Sequence, residues 1–267
     1  MKLRVILALL AVLTSGVPMA ALACGATSDC NVKTGAYRIS LPKEAGVPMG
    51  AIVFVHGYQG SAAGTMKNKG LRQMAADRGL ALIALDAGDD DWNLPNAPQG
   101  SVGARDEMAY LDAVVADAES RFKIDPQNIV IAGFSAGAMF VWNAICARGD
   151  VYAGYIPYSG TFWKEAPARC PAGAQNVVHV HGRADRTVPL TGRAIGDTRQ
   201  GDVGDALAMY RKAKGFAPAA DYALGDMRCT HAVTAAGKRL DFCLFDGDHS
   251  FTAKRFGAAY DALMPKG

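Results

Sequence analysis

Residues 128–137, NIVIAGFSAG, decide the fold of this chain. The run NIVIA predicts a short buried strand because it is apolar and rich in β-branched residues, and the residues after Ser135 have helical periodicity. Between the two lies a Gly-x-Ser-x-Gly pattern with Ser135 at its centre. At a strand-to-helix junction this pattern is typical of a sharp turn that lifts the serine hydroxyl above the end of the strand. Ser135 is therefore the predicted nucleophile.

Apolar runs and segments of helical periodicity alternate along the rest of the chain. Continuously apolar strands between helices predict a mostly parallel sheet with helices on both faces, and the ligand site at the carboxyl ends of its strands. With 267 residues, one α/β domain is expected. The predicted strands are 51–55, 80–85, 128–132, 152–158, 176–181 and 238–245, and the predicted helices are 67–78, 103–122, 136–147, 205–214 and 252–263.

The catalytic base should follow the nucleophile in the chain, in a loop directly after a late strand. Among the five histidines, only His249 fits, because it lies in the turn-rich stretch GDHS between the last predicted strand and the last predicted helix. As general base it would take the proton of Ser135 and later return it to the leaving group. His56 precedes Ser135 in the chain, and we expect it to brace the loop in which it lies.

The acid that orients His249 is best placed at Asp185, in the loop after the strand NVVHVH. A buried carboxylate there would hold the tautomer of the imidazole and stabilise the imidazolium. Asp248 is the chief rival, but as the sequence neighbour of His249 it would struggle to face the edge of that ring. Asp197 and Asp202 lie further out, in a polar loop.

An acyl-transfer site also needs preorganised N–H donors for the oxyanion of the tetrahedral intermediate. The backbone N–H of Ala136, directly after the nucleophile, is one expected donor. The second should come from the loop HGYQG at 56–60, which follows the strand AIVFV. The N–H of Tyr58 is the favoured donor there, and the N–H of Gln59 is the alternative. Gln59 is also a candidate substrate contact.

Two tryptophans and two histidines allow more than one interpretation. Trp92 and Trp163 follow predicted strand ends and could form an aromatic wall for a phenolic or sugar-linked acyl group, although loop packing explains them equally well. His179 and His181 share one face of a strand, as a metal-binding pair would. The sequence places no third ligand near them, so we expect neither a metal site nor a cofactor.

The N-terminal segment 1–23 has the pattern of a secretory signal peptide. Lys2 and Arg4 precede an apolar run, and the small residues of ALA then end the segment. The apolar run is too short to span a bilayer, so we expect no membrane-spanning segment. Secretion or a periplasmic location is therefore predicted, with lipidation of Cys24 as the minor alternative.

Charge and cysteine content agree with an exported enzyme. Lys and Arg number 28 against 25 Asp and Glu, and this near balance is unlike the basic stripe of a nucleic-acid-binding protein. The sequence does not indicate an oligomeric state. An even number of cysteines in an exported chain predicts disulfides. Pairing of sequence neighbours gives Cys24–Cys30, Cys146–Cys170 and Cys229–Cys243.

Together these residues resemble the polyhydroxybutyrate-depolymerase-like esterases and the related feruloyl and acetylxylan esterases. The resemblance implies an α/β-hydrolase fold over residues 24–267, and an exported bacterial serine esterase that uses Ser135, Asp185 and His249. The matching segments are CG at 24–25, VHG at 55–57, DPQN at 125–128, GFSAG at 133–137, the block from HG to VP at 181–189, and DH at 248–249.

The sequence also departs from that family. Ala138 stands where the family often has a second glycine, and Tyr58 stands where it often has Cys or Gly. These departures, with no substrate-binding module in view, favour a small or soluble ester over a polymer. Hydroxyalkanoate and feruloyl or acetyl esters are the expected substrates. The alternatives are a serine peptidase on the same fold and a catalytically silent binding protein.

Overall fold

A computed structural model describes residues 24–44, 48–88, 91–99 and 105–265. The signal peptide predicted at 1–23 lies outside the described residues. In chain order the elements are β1 Cys30–Val32, β2 Gly35–Ser40, β3 Met49–Val55, α1 Ala62–Lys67, α2 Lys69–Ala76, β4 Ala81–Leu85, α3 Glu107–Phe122, β5 Ile124–Phe134, α4 Ala136–Arg148, β6 Gly154–Tyr158, β7 Val177–Gly182, β8 Ala194–Ile195, β9 Thr198–Arg199, α5 Val203–Lys214, β10 Ala217–Leu224, β11 Met227–Val233, β12 Arg239–Phe245 and α6 Ala253–Leu263.

Ten of these strands form one sheet in the order β1-β2-β4-β3-β5-β6-β7-β12-β11-β10. The six central strands, from β4 to β12, pair in parallel, while the two strands at each end are antiparallel to their neighbours. Strand β5, which leads into the Gly-x-Ser-x-Gly turn, lies in the middle of the sheet. The carboxyl ends of the parallel strands therefore meet at one edge, where the site residues were expected.

Helices cover both faces of this sheet because alternate side chains of each buried strand point to opposite faces. On β3, Val53 belongs to the core that α3, α4 and α5 share, and Ile52 belongs to the core that α1, α2 and α6 share. Both side chains are fully buried. This two-sided burial explains why the central strands are mostly apolar, and it confirms the predicted fold class.

The structure differs from the prediction mainly at element ends and at the sheet margins. The helix predicted at 67–78 is α2 at Lys69–Ala76, and an unpredicted helix, α1, ends directly before it, because the Asn68 side chain accepts a hydrogen bond from the N–H of Leu71 and so starts a new helix. Asparagine at such a junction is a good N-cap. Strands β1, β2, β8, β9, β10 and β11 were not predicted. β10 is an edge strand with most of its residues exposed, so it carries no apolar run.

The structure confirms all three predicted disulfides. Cys229 and Cys243 lie directly opposite each other on β11 and β12. Cys146 and Cys170 connect α4 to the segment before β7, and Cys24 bonds to Cys30 at the start of the described chain. Among the described residues, none of the helices combines the length and the apolar character that crossing a membrane requires.

Candidate active site

Ser135 occupies the sharp turn between β5 and α4. Its backbone has φ 59° and ψ −120°, a conformation that non-glycine residues rarely adopt and that is held by the surrounding structure. The N–H of Ser135 donates to the carbonyl of Tyr158 at 2.9 Å. A Cβ on Gly137 would lie 2.0 Å from the carbonyl oxygen of Val55, so only glycine fits there. The glycines of the pattern thus let β3, β5 and α4 converge at the serine.

Asp185 and His249, predicted from different loops, form a direct hydrogen bond. His249 Nδ1 donates to Asp185 Oδ2 at 2.7 Å. The other carboxylate oxygen accepts the backbone N–H groups of Thr187 at 3.0 Å and Val188 at 2.8 Å. Burial raises the pKa of Asp185, but these hydrogen bonds and the neighbouring imidazoles outweigh it and hold the pKa below its usual value. Asp185 is therefore an ionised acceptor at neutral pH, and Nε2 of His249 is left to accept a proton.

The His249 ring lies beside the chain segment that carries Ser135. Its centroid is 4.7 Å from the ring of Phe134, the residue before the nucleophile. Phe134 in turn packs edge-on against Tyr158 and Phe251. The structure therefore brings the loop after β12 and the end of β5 together at the carboxyl edge of the sheet.

Asp248, the rival candidate for the acid, has a different set of partners. Its Oδ1 accepts the backbone N–H groups of Arg186 and His249, each at 2.8 Å, and its Oδ2 accepts Nε of Arg186 at 2.8 Å. The backbone hydrogen bonds, with the Arg186 side chain, lower the pKa of Asp248 to about 2. Asp248 thus connects the loop of Asp185 to the loop of His249, a role that the sequence did not suggest.

The loop expected to complete an oxyanion hole forms a tight turn. The N–H of Gly60 donates to the carbonyl of Gly57 at 2.9 Å, and Gln59 inside the turn has φ 55°. This hydrogen bond, which closes the turn, does not involve the N–H of Tyr58. A Cβ on Gly57 would lie 3.2 Å from Cβ of Ser135, so the loop passes directly beside Ser135. The side chains of Tyr58 and Gln59 are exposed.

Ala136 supplies the other expected donor. It is the first residue of α4. A backbone N–H at that position has no acceptor within its helix, so it can serve a ligand.

His56 braces this loop, as expected. The N–H of Ala87 donates to His56 Nε2 at 3.2 Å, so the ring proton lies on Nδ1, which donates to the carbonyl of Gly57 at 2.8 Å. The indole N–H of Trp92 donates to the His56 carbonyl at 2.8 Å. Burial lowers the pKa of His56 and so favours the neutral ring that this pairing requires.

Of the two interpretations that the sequence allowed for Trp92 and Trp163, their burial favours loop packing over an aromatic wall. Trp92 is fully buried and packs against the rings of His56 and Phe140, so it cannot contact a substrate. Trp163 is also buried, and its backbone pairs with Gln200. Both loops turn inward over the sheet, where burying a large indole stabilises the fold more than leaving it in water would. Their positions after strand ends gave no sign of this direction.

His179 and His181 are not arranged as metal ligands. They bond to each other, and their remaining ring nitrogens pair with Trp142 and with the carbonyl of Val188. The shared strand face of the two histidines is visible in the sequence, but their pairing with Trp142 is not, because Trp142 lies on a different element. Within the described ranges, His, Cys, Asp and Glu side chains form no group of three or more that could hold a metal ion.

Similarity to known proteins covers both sequence and fold. A profile of the family described as Phospholipase/Carboxylesterase matches residues 88–198, which include Ser135 and Asp185. NocK of Nocardia uniformis subsp. tsuyamanensis, which carries the name of an esterase, is 27% identical over 164 residues. That match covers 60% of this chain and 48% of NocK, so the chain spans about half the length of this relative.

Two solved structures are similar over most of their length. The acetyl xylan esterase from Aspergillus awamori has a TM-score of 0.61 at 13% identity and covers 80% of this chain and 88% of its own. An S-formylglutathione hydrolase from Agrobacterium tumefaciens has a TM-score of 0.58 at 12% identity and covers 88% and 90%. The chain therefore has the α/β-hydrolase fold. Its central region is in addition similar in sequence to the phospholipase and carboxylesterase family.

Proposed function

We propose that this protein is an exported serine esterase that hydrolyses carboxylic esters through an acyl-enzyme on Ser135. The observation that carries the proposal is the 2.7 Å hydrogen bond between His249 and Asp185 beside the turn that presents Ser135. A serine on a strained turn, an oriented imidazole and a buried carboxylate are the three groups that acyl transfer to serine requires. Their chain order, Ser135 then Asp185 then His249, is that of this fold.

In the first half-reaction, Nε2 of His249 accepts the proton of the Ser135 hydroxyl while Oγ attacks the ester carbonyl carbon. The carbonyl oxygen becomes an oxyanion that accepts hydrogen bonds from the N–H groups of Ala136 and Tyr58. Collapse breaks the carbon–oxygen bond to the alcohol, and the departing alkoxide takes the proton from His249. The products are an acyl-serine and a free alcohol.

In the second half-reaction, water replaces the alcohol. His249 accepts one proton of the water as its oxygen attacks the acyl-serine, and then returns that proton to Oγ of Ser135. Asp185 stays ionised throughout and stabilises the imidazolium that forms in each transition state. The cycle consumes one ester and one water and requires no cofactor.

The proposed substrates are hydroxyalkanoate esters, of the polyhydroxybutyrate type, or feruloyl and acetyl esters. The family resemblance of the Ser135, Asp185 and His249 segments supports this class. The fold shared with an acetyl xylan esterase is compatible with it. The side chains of Tyr58 and Gln59 are exposed on the loop beside Ser135, which suits a soluble ester.

We also propose that the protein is secreted or periplasmic. The three disulfides support an oxidising compartment, where such bonds persist. The disulfide between Cys24 and Cys30 uses the sulfur atom that a lipid anchor on Cys24 would need. A freely secreted product is therefore favoured over a lipoprotein.

The test compares the wild type with Ser135→Ala and with Ser40→Ala, a matched control on β2. The assays are hydrolysis of p-nitrophenyl acetate, p-nitrophenyl butyrate and methyl ferulate, together with labelling by a fluorophosphonate probe. We expect Ser135→Ala to lower kcat by about 10⁴-fold or more and to abolish labelling. Ser40→Ala should behave as the wild type does.

Two results would contradict the proposal. A folded wild type with neither turnover nor labelling would indicate a silent binding protein. Labelling of Ser135 without turnover of any ester would indicate a serine hydrolase of another specificity, such as a peptidase.

A further inference from the structure

A buried chain of hydrogen bonds leads from helix α4 to the loop of the acid. The indole N–H of Trp142 donates to Nδ1 of His179 at 3.2 Å, and Nε2 of His179 lies 3.0 Å from Nδ1 of His181. Nε2 of His181 lies 2.8 Å from the carbonyl oxygen of Val188 and 3.5 Å from Oδ2 of Asp185. The side chains of Trp142, His179 and His181 have no exposed surface.

The donor at one end and the acceptor at the other fix the direction of every hydrogen bond in this row. An indole N–H can only donate, so Nδ1 of His179 must accept and its proton must lie on Nε2. That proton points at Nδ1 of His181, which must accept in turn. The proton of His181 therefore also lies on Nε2, facing a carbonyl oxygen that can only accept. Each ring is held in one tautomer.

Burial keeps both rings neutral. It lowers the pKa of His179 well below its usual value, and the neighbouring His181 lowers it further. Burial lowers the pKa of His181 as well, against the opposing effects of Val188 and Asp185. A second proton on either ring would also place two N–H groups face to face within the chain. The chain is thus a row of neutral donors that all point toward the acid.

We propose that Trp142, His179 and His181 are positioning residues for Asp185. In this arrangement His181 always presents an N–H to the carbonyl of Val188 and, more distantly, to the carboxylate oxygen that accepts from His249. Val188 in turn donates its own N–H to the other oxygen of Asp185. This inference rests on the proposed function, because it gives the three residues the task of positioning Asp185, the acid of the proposed reaction.

Among the described residues, the titrating groups that act on the two histidines, apart from each other, are Asp185 and His249. Asp185 and His249 face His181 from the loops after β7 and β12. On β12, the residues paired with His179 and His181 are Phe242 and Leu244, which do not titrate. Tyr210 of α5 packs on Trp142 rather than on the imidazoles.

Trp142→Phe removes the donor that starts the chain and retains an aromatic ring. Nδ1 of His179 then becomes free to take a proton, while the carbonyl of Val188 still holds the proton of His181 on Nε2. A positive charge on the histidine pair would then face the acid loop. The charge would compete with the imidazolium of His249 for Asp185, and it would form more readily as the pH falls.

Kinetics against pH provide the first test. For Trp142→Phe we expect kcat to fall about 3-fold at pH 8 and by a larger factor at pH 6, with KM unchanged, because the loss grows with protonation of the freed histidines. Phe162→Leu is the matched control, since Phe162 packs on the Trp142 ring but takes no part in the hydrogen bonds between Trp142, His179 and His181. Its effect on kcat should be the same at every pH.

NMR of the ¹⁵N-histidine-labelled protein provides a second test that needs no substrate. In the wild type, His179 and His181 should both be protonated on Nε2 only, from pH 5.5 to 8.5. In Trp142→Phe this pattern should change, and the Nδ1 proton of His249 should exchange with water several-fold faster.

The inference is overturned if either histidine of the wild type titrates in that range or carries its proton on Nδ1. It is also overturned if Trp142→Phe leaves the exchange of the His249 proton unchanged, or if its pH profile matches that of Phe162→Leu. Absence of ester turnover in the wild type would count against the proposed function, while the NMR results would still decide the role of the chain.

Discussion

Two carboxylate–imidazole pairs of similar geometry lie in the C-terminal part of this molecule. His249 donates to Asp185 at 2.7 Å, and His231 donates to Asp241 at 2.5 Å. Both carboxylates are buried completely, and the histidine side chains are 14% and 20% exposed. By distance and burial alone, either pair would qualify as the base and acid of a hydrolase.

The two carboxylates, Asp241 and Asp185, differ in their other hydrogen-bond partners. Asp241 also accepts the hydroxyl of Tyr222 at 2.6 Å and Nε of Arg239 at 2.8 Å, so a guanidinium already neutralises it. Asp185 accepts only backbone N–H groups besides His249 among its described hydrogen bonds. A charge that is balanced in the resting state holds strands together. A charge that gains its counter-ion only when His249 is protonated can lower a reaction barrier.

The largest expected difference comes from replacing each histidine by alanine. His249→Ala should lower kcat for p-nitrophenyl butyrate by about 10⁴-fold or more, because no other group would take the proton of Ser135. His231→Ala should leave kcat unchanged in the folded protein, because His231 lies on β11 away from the turn of Ser135. Initial rates and circular dichroism of both variants provide the measurement. Equal losses of kcat would show that the two pairs do not differ in function.

Replacing each carboxylate by its amide separates activity from stability. Asp185→Asn should lower kcat by about 10⁴-fold, because an amide cannot hold the required tautomer or balance the imidazolium.

Asp241→Asn should instead lower the free energy of unfolding by about 3–5 kcal/mol, because Arg239 would lose its buried counter-ion. Its kcat should stay near that of the wild type. Urea denaturation and ester hydrolysis of both variants test this pattern. The opposite assignment, with activity lost in Asp241→Asn, would contradict the interpretation of both pairs.

The sequence could predict the pairing of His249 with Asp185 because local patterns and chain order identify both residues. Ser135 lies in a recognisable turn, and Asp185 and His249 each follow a strand whose apolar run is visible. The disulfides could be predicted for a related reason, since each joins sequence neighbours. The parallel core could be predicted because burial on both faces makes its strands mostly apolar.

The second pair could not be predicted, because it depends on strand register. His231 and Asp241 face each other only because β11 and β12 pair with those residues opposite. The direction of a loop side chain is equally hidden, as Trp92 shows: its indole turns inward to the carbonyl of His56. The partner of His179, Trp142, lies 37 residues earlier on another element. Contacts of this kind depend on the assembled core, which no local pattern records.

The smallest expected effect concerns Asp248, which lies next to the active pair without belonging to it. Asp248→Asn keeps an oxygen for the backbone N–H groups of Arg186 and His249 but loses the charge that pairs with the Arg186 side chain. We expect kcat to fall about 3- to 10-fold, since the loops of acid and base would be less well aligned. Asp246→Asn is the matched control, because Asp246 is 95% exposed and pairs with Arg183 only through an exposed contact at 3.2 Å.

The pH dependence of stability provides a second test of Asp248→Asn. The pKa of Asp248 is about 2 in the folded protein, below the value of about 3.9 for an unfolded chain. Because the folded value is the lower one, the ionised carboxylate stabilises the fold above about pH 4, and this contribution is lost as the pH falls toward 2. The difference in Tm between the wild type and Asp248→Asn should therefore be constant near neutral pH and vanish in acid. A difference that instead grows as the pH falls would show that the charge of Asp248 does not join the two loops.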